Sequence, residues 1–275
     1  YIMSTKDIFN LNNKICVVTG ASRGLGKQMC QAFAENGARG IVIASRKIGN
    51  CQTLAKEIMA KFPSCKCVPA VCNVSSWDSC NALYETTMKV FDHCDVLVNN
   101  AGGSPLYPSL VDIDEKYFDK IMSLNFKGPF RLSTLFATKM CTQDNGGSII
   151  NVSTAETINP NARATVYGAA KSALNYYTKA IAVSYGPKVR CNCIMPGPFL
   201  TDISKAWDIK AMEPGWKTSI ALQRAGRPEE IIGAALYFAS DASSYTTGSI
   251  LEVHGGSFGG PLGRDPRFKG NIGKL

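Results

Sequence analysis

Seven short runs of apolar, β-prone residues recur along the chain, and longer stretches with helical spacing lie between them. The runs cover 15–19, 40–44, 67–71, 95–99, 148–152, 189–194 and 249–253. They are apolar throughout instead of alternating with polar residues, so both faces of each strand have to be covered. Helical patterns at 24–36, 50–61, 76–91, 115–142 and 167–185 supply that cover. The alternation predicts an α/β fold, a single doubly wound domain around a mostly parallel seven-stranded sheet. No repeat or low-complexity linker divides the 275 residues, a length such domains often reach undivided.

The first run leads directly into a glycine-rich corner, Thr19-Gly-Ala-Ser-Arg-Gly-Leu-Gly26. Glycine lets a backbone approach a pyrophosphate closely, and a helix N-terminus offers unpaired N–H groups and a favourable dipole. Any tight β–α turn can use glycine, but a strand before and a helix after make this corner a dinucleotide seat. Its residues Gly20, Ser22, Arg23, Gly24, Leu25 and Gly26 are therefore candidate cofactor contacts. Twenty residues beyond Gly26 the second run ends in Ser45-Arg46, where an NAD site commonly has Asp or Glu. A carboxylate there would bond the ribose 2′-hydroxyl, whereas an arginine accommodates a 2′-phosphate. With Arg23 as a second positive charge, the expected cofactor is NADP(H) in preference to NAD(H).

Composition narrows the partners. The net charge of +9 comes without any block of five basic residues, which fits a surface drawing in anionic cofactors and gives no reason to expect a nucleic acid. Eleven cysteines form no C-x-x-C pair, and His93 and His254 have no neighbours at ligand spacing, so no metal site is expected. Pairs such as Cys65/Cys67 and Cys191/Cys193 read as small buried hydrophobes in a reducing compartment. No apolar run approaches the roughly 18 residues of a membrane span. A cytoplasmic protein is the expectation. The final Gly-Lys-Leu275, close to the Ser-Lys-Leu peroxisomal address, keeps that compartment as the alternative.

Tyr167 and Lys171 stand four apart within the pattern 167–185, on one helix face. An ammonium so placed favours the deprotonated phenol, whose ordinary pKa is about 10. A tyrosine tuned this way can exchange a proton with a carbonyl or alcohol oxygen near neutral pH.

In order and spacing, the glycine corner, Asn99-Asn-Ala-Gly102, Asn125, Ser153-Thr154, Tyr167/Lys171 and Pro196-Gly-Pro-Phe-Leu-Thr201 resemble the short-chain dehydrogenase/reductase family, including its 3-oxoacyl-reductase-like members. The resemblance spans about residues 12–256. It implies a Rossmann domain and hydride transfer between NADP(H) and a carbonyl or secondary alcohol. Tyr167 would move the proton, and Lys171 would hold the nicotinamide ribose and acidify the tyrosine. Asn125 would pin a water linking Lys171 to solvent, and Thr201 would hold the carboxamide. Asn100, Ala101, Gly102, Pro196, Gly197 and Phe199 complete the implied cofactor contacts, with Asn73 and the Val74 backbone near the adenine.

Two positions depart from the family pattern. Asn73 stands where Asp is common, and Thr154 stands where the family normally has serine. Thr154 is the expected hydroxyl donor, because Ser153 in an extended backbone would point to the opposite face. Residues 1–256 are read as the dinucleotide-binding and catalytic domain, with 198–227 inserted as a substrate lid and 257–275 as an irregular tail. Ile158, Pro160, Leu200, Trp207, Met212 and Trp216 suggest a mainly apolar pocket for a 3-oxoacyl thioester, a steroid-like ketone or a small cyclic ketone. By family analogy the chain would form a homodimer or homotetramer through 115–142 and 167–185. A catalytically idle cofactor-binding scaffold and a nucleotide-sugar epimerase or dehydratase are the competing functions. The presence of Asn125, Tyr167 and Lys171 and the glycine spacing argue against both.

Overall fold

The computed structural model describes residues 7–107, 109–202, 204, 208–258 and 260. Its seven strands are β1 (Ile15–Thr19), β2 (Gly40–Ser45), β3 (Lys66–Val71), β4 (Val96–Asn99), β5 (Gly147–Val152), β6 (Val189–Pro196) and β7 (Ile250–Val253). They form one sheet, ordered β3-β2-β1-β4-β5-β6-β7, in which every pairing is parallel. The chain winds outward from β1 to β3, returns to lay β4 beside β1, and winds the other way. A crevice opens at the carboxyl ends of β1 and β4, the usual ligand position in such sheets.

The period of two along each strand divides its apolar residues between two cores. Cys16, Val18, Ile41, Ile43, Val96, Val98, Ile150 and Ile194 face one layer. That layer is covered by α1 (Gly24–Glu35), α2 (Ile48–Lys61) and α8 (Ile232–Ala239). Val17, Val42, Ala44, Leu97, Ile149 and Cys191 face the other, covered by α3 (Trp77–Phe91), α5 (Gly128–Cys141) and α6 (Thr165–Tyr185). Burial on both faces is why the strands read as continuous apolar runs. All eleven cysteines are free thiols; ten are buried, and Cys65 and Cys67 enter the same layer.

The stretch 115–142 is not one helix. α4 (Glu115–Met122) passes into a π-helical segment, Ser123–Lys127, before α5 begins. Pro129 has no N–H to give the Asn125 carbonyl, its partner in an unbroken α-helix. Gly128 is also pressed against β3's exit, where an added Cβ would lie 2.2 Å from the Val74 carbonyl oxygen. The segment 198–227 holds α7 (Ile209–Ser219), which contains Pro214 and forms a small separate core from Trp216, Ile220 and Ala225. No described helix is long and apolar enough to cross a membrane.

Candidate active site

A cavity of about 770 Å³ runs along the carboxyl ends of β1 to β6. At one end it is lined by the glycine corner, with Ser45 and Arg46 after β2 and Asn73 and Val74 after β3. At the other end stand Thr154, Tyr167 and Lys171. Between them lie Asn100, Ala101 and Gly102 on one wall and Pro196, Gly197, Phe199 and Thr201 on the opposite one. Of the catalytic and cofactor-binding residues expected above, only Gly26 and Asn125 do not line the cavity.

The glycine corner fits a phosphate group. Gly20 has φ +62°, and a Cβ there would lie 2.8 Å from the Ala101 Cα. A Cβ at Gly26 would lie 2.6 Å from the Gly20 carbonyl oxygen, so this glycine serves close packing beneath the cavity. Asn100 braces the corner by donating its amide to the carbonyls of Thr19 at 2.9 Å and Gly20 at 3.2 Å. α1 starts after Arg23 with no side-chain cap and no acid in its first turn, leaving its N–H groups available to an anion. Arg23 and Arg46 are exposed beside it and have no carboxylate partner among the described residues. Asn73 is also exposed; its Oδ1 accepts from the Ser75 N–H at 3.3 Å.

The opposite end is tighter. Tyr167 and Lys171 lie on one face of α6, near its start. Lys171 is fully buried and donates from Nζ to the Val152 carbonyl at 2.6 Å; burial draws it down to about 8. Tyr167 is pushed up to about 12, first by desolvation and then by the charge of Glu156, against a Thr154 hydrogen bond that acts in the other direction. The expected acidification of Tyr167 is therefore absent in the protein alone. Burial outweighs an ammonium 5.9 Å from the ring centroid.

Thr154 faces the cavity half-exposed, while Ser153 is buried with its hydroxyl turned to the Lys171 carbonyl at 3.5 Å. Asn125 is buried within the π-helical segment. Its amide donates to the carbonyls of Gly103 and Ile121, each at 3.0 Å, and its Oδ1 accepts from the Gly103 N–H at 3.1 Å. No amide hydrogen is left to hold a water. The side chain instead fixes Gly102–Gly103, where a Cβ on Gly102 would come within 3.0 Å of Asn125 Oδ1 and 3.3 Å of Lys171 Nζ.

The substrate mouth differs from expectation. Of the proposed apolar wall only Met212 lines the cavity. Ile158, Pro160 and Leu200 are exposed, Trp216 is buried in the small core, and Trp207 lies outside the described residues. Other apolar groups, Leu106, Leu124 and Pro198, line the cavity instead, together with the polar Ser104, Glu156, Asn159, Asn161, Asp202 and Ser257. Ser257, at the start of the segment expected to be an irregular tail, bridges to Ile220, and its carbonyl accepts from Asn159 at 2.8 Å. His254 shapes this wall: its Nδ1 accepts the N–H groups of Gly256 and Ser257, each at 3.1 Å, so Nε2–H donates to Glu252 at 2.7 Å.

Comparison with known proteins agrees with this geometry. The profile described as enoyl-(acyl carrier protein) reductase, adh_short_C2, matches residues 20–257. The human dehydrogenase/reductase SDR family member 4 is 30% identical over 90% of this chain and 88% of its own. The 3-oxoacyl-[acyl-carrier-protein] reductase of Thermotoga maritima is 35% identical over 90% and 98%. The chain belongs to the short-chain dehydrogenase/reductase family. As a short-chain dehydrogenase/reductase it is an oxidoreductase of CH–OH or carbonyl groups that binds a nicotinamide cofactor. Among solved members, the NADPH-dependent 3-quinuclidinone reductase of Rhodotorula rubra superposes with a TM-score of 0.86, at 28% identity over 93% of this chain and 95% of that one.

Proposed function

We propose that the protein interconverts a carbonyl and a secondary alcohol with NADP(H), Tyr167 handling the proton. One observation carries the reading: a single cavity joins an arginine-bearing phosphate seat to a hydroxyl, a phenol and a buried amine. The bound nicotinamide supplies or accepts the hydride. Tyr167, protonated across the neutral range, donates its proton to the carbonyl oxygen during reduction; in the reverse direction its phenolate takes the proton from the alcohol. Thr154 donates a hydrogen bond to the same oxygen and holds it near the phenol. Lys171 holds the nicotinamide ribose hydroxyls and stabilises the phenolate left when Tyr167 gives up its proton. A water path from Lys171 outward would use the Asn125 carbonyl, which Pro129 deprives of its α-helical donor, in place of the occupied side-chain amide.

Arg46, helped by Arg23, supports a 2′-phosphate and hence NADP(H), in line with the Rhodotorula relative's NADPH dependence. The segment 198–227, which brings Met212 to the mouth, serves as the substrate cover. A homodimer or homotetramer through 115–142 and 167–185 and a cytoplasmic location extend the proposal; the Gly-Lys-Leu end lies outside the described residues. The test is a panel of ketones and alcohols followed by nicotinamide absorbance with each cofactor. Turnover with NADPH well above NADH is the expected result; binding of either cofactor without turnover of any carbonyl would overturn it.

A further inference from the structure

Beside Tyr167 the cavity wall holds a carboxylate for which proton and hydride transfer have no use. Glu156 follows Thr154 by two residues, and its N–H donates to the Thr154 hydroxyl at 3.3 Å. Its Oε1 accepts from Asn161 Nδ2 at 3.3 Å. Its Oε2 is shielded from solvent yet accepts no hydrogen bond, and no ion pair among the described residues includes Glu156. Burial raises the Glu156 carboxyl above its ordinary value, the Asn161 contact acting the other way. A shielded carboxylate oxygen without a partner is costly, and such atoms usually await one. Ser104, Asn159, Asn161 and Ser257 line the same cavity with neutral polar groups, and Lys171, the cation at this end of it, gives its ammonium to the Val152 carbonyl and forms no ion pair with Glu156.

We propose that Glu156 Oε2 is a specificity group that accepts a hydrogen bond from a hydroxyl carried by the substrate next to its reacting carbon. This inference rests on the carbonyl–alcohol reading and names its substrate class: hydroxylated ketones and polyols, in preference to plain ketones. A substrate lacking the donor leaves Oε2 unpaired, and sites built this way reject the deoxy analogue strongly. A protonated amine offers the same donor chemistry, so the experiment must separate the two.

The experiment compares phenacyl alcohol, acetophenone and phenacylamine as substrates at saturating NADPH, for the wild type, Glu156→Gln and Glu156→Val. Binding of styrene glycol to each protein loaded with NADP+ is measured by calorimetry. The wild type should prefer phenacyl alcohol over acetophenone by at least about tenfold in kcat/KM. That ratio should fall toward one in Glu156→Val and fall partway in Glu156→Gln, whose amide oxygen still accepts. Phenacylamine as the better substrate of the two donors would overturn the hydroxyl assignment in favour of an ammonium. An unchanged ratio, with the pH profiles of both ketones shifting together, would overturn the proposal and reduce Glu156 to a tuner of Tyr167. Glycol binding that depends on Glu156 without turnover of any ketone would keep this inference and remove the hydride-transfer reading. Turnover indifferent to Glu156 would do the opposite. With neither turnover nor binding, both fall.

Discussion

The two ends of the cavity are built differently. At the end proposed for the cofactor the lining sits at strand ends: the glycine corner after β1, Ser45-Arg46 at the end of β2, Asn73-Val74 after β3 and Asn100–Gly102 after β4. Backbone does most of the shaping, through a positive φ at Gly20 and close packing at Gly26. At the substrate end the wall comes from side chains of unrelated segments, with Ser104, Glu156, Asn161, Met212 and Ser257 meeting only in three dimensions. The lesson is that a site made by backbone follows local rules, whereas a site made by side chains follows none. Perturbing the first should alter how cofactor is held, and perturbing the second should alter chemistry and substrate choice.

The largest separation should come from Tyr167→Phe. Loss of the proton donor should lower kcat by roughly 10³-fold or more, while NADPH affinity, measured by fluorescence, stays within a few-fold. Comparable losses in both would erase the contrast between the two ends.

Lys171 sharpens it through stability. Its folded value of about 8 lies below the ordinary 10.5, so between those values the unfolded chain binds a proton that the folded chain lacks. Stability therefore rises with pH across that window, and below it the folded state carries the whole burial penalty. Lys171→Met should be more stable than wild type at pH 7, by up to about 3 kcal/mol, and the gain should shrink between pH 8 and 10.5. Melting temperatures across that range check it; a pH-independent difference would contradict the assignment.

Next in size is the hydroxyl pair. Thr154→Val should reduce kcat by roughly 10²-fold, in the range for a lost transition-state donor, while Ser153→Ala should leave kcat within a few-fold. The reverse order, seen in steady-state kinetics, would move the donor to Ser153. Smallest is Arg46→Asp, which should raise KM for NADPH by about tenfold or more and leave KM for NADH little changed, as expected for one charge-assisted phosphate contact. Equal changes for both cofactors would remove the 2′-phosphate assignment.

Much of this was legible in advance. The glycine corner joins two consecutive elements and the Tyr167/Lys171 pair sits on one helix, so local spacing placed them. The π-helical break at Asn125 was missed although Pro129 carried its signal, because a proline four residues on withdraws the donor from that carbonyl. Tyr167's elevated pKa could not be read from spacing, since proximity to Lys171 is local but desolvation depends on everything packed around the phenol. The apolar lid was misjudged for a related reason. Trp216 looked available to substrate, yet it turns inward to pack with Ile220 and Ala225.

By itself the amino-acid order determined the parallel sheet, the glycine-rich corner after its first strand and the placing of Tyr167 and Lys171 on one helix face. Each depends on periodicity or on residues within one turn of each other, and those interactions need no distant partner. Only the folded chain decided that Glu156 stands near Tyr167 with an oxygen left over, that Ser257 walls the cavity and that polar side chains join the apolar ones there. Those outcomes depend on which segments pack together and how much water they exclude, and no local stretch of the chain carries that information.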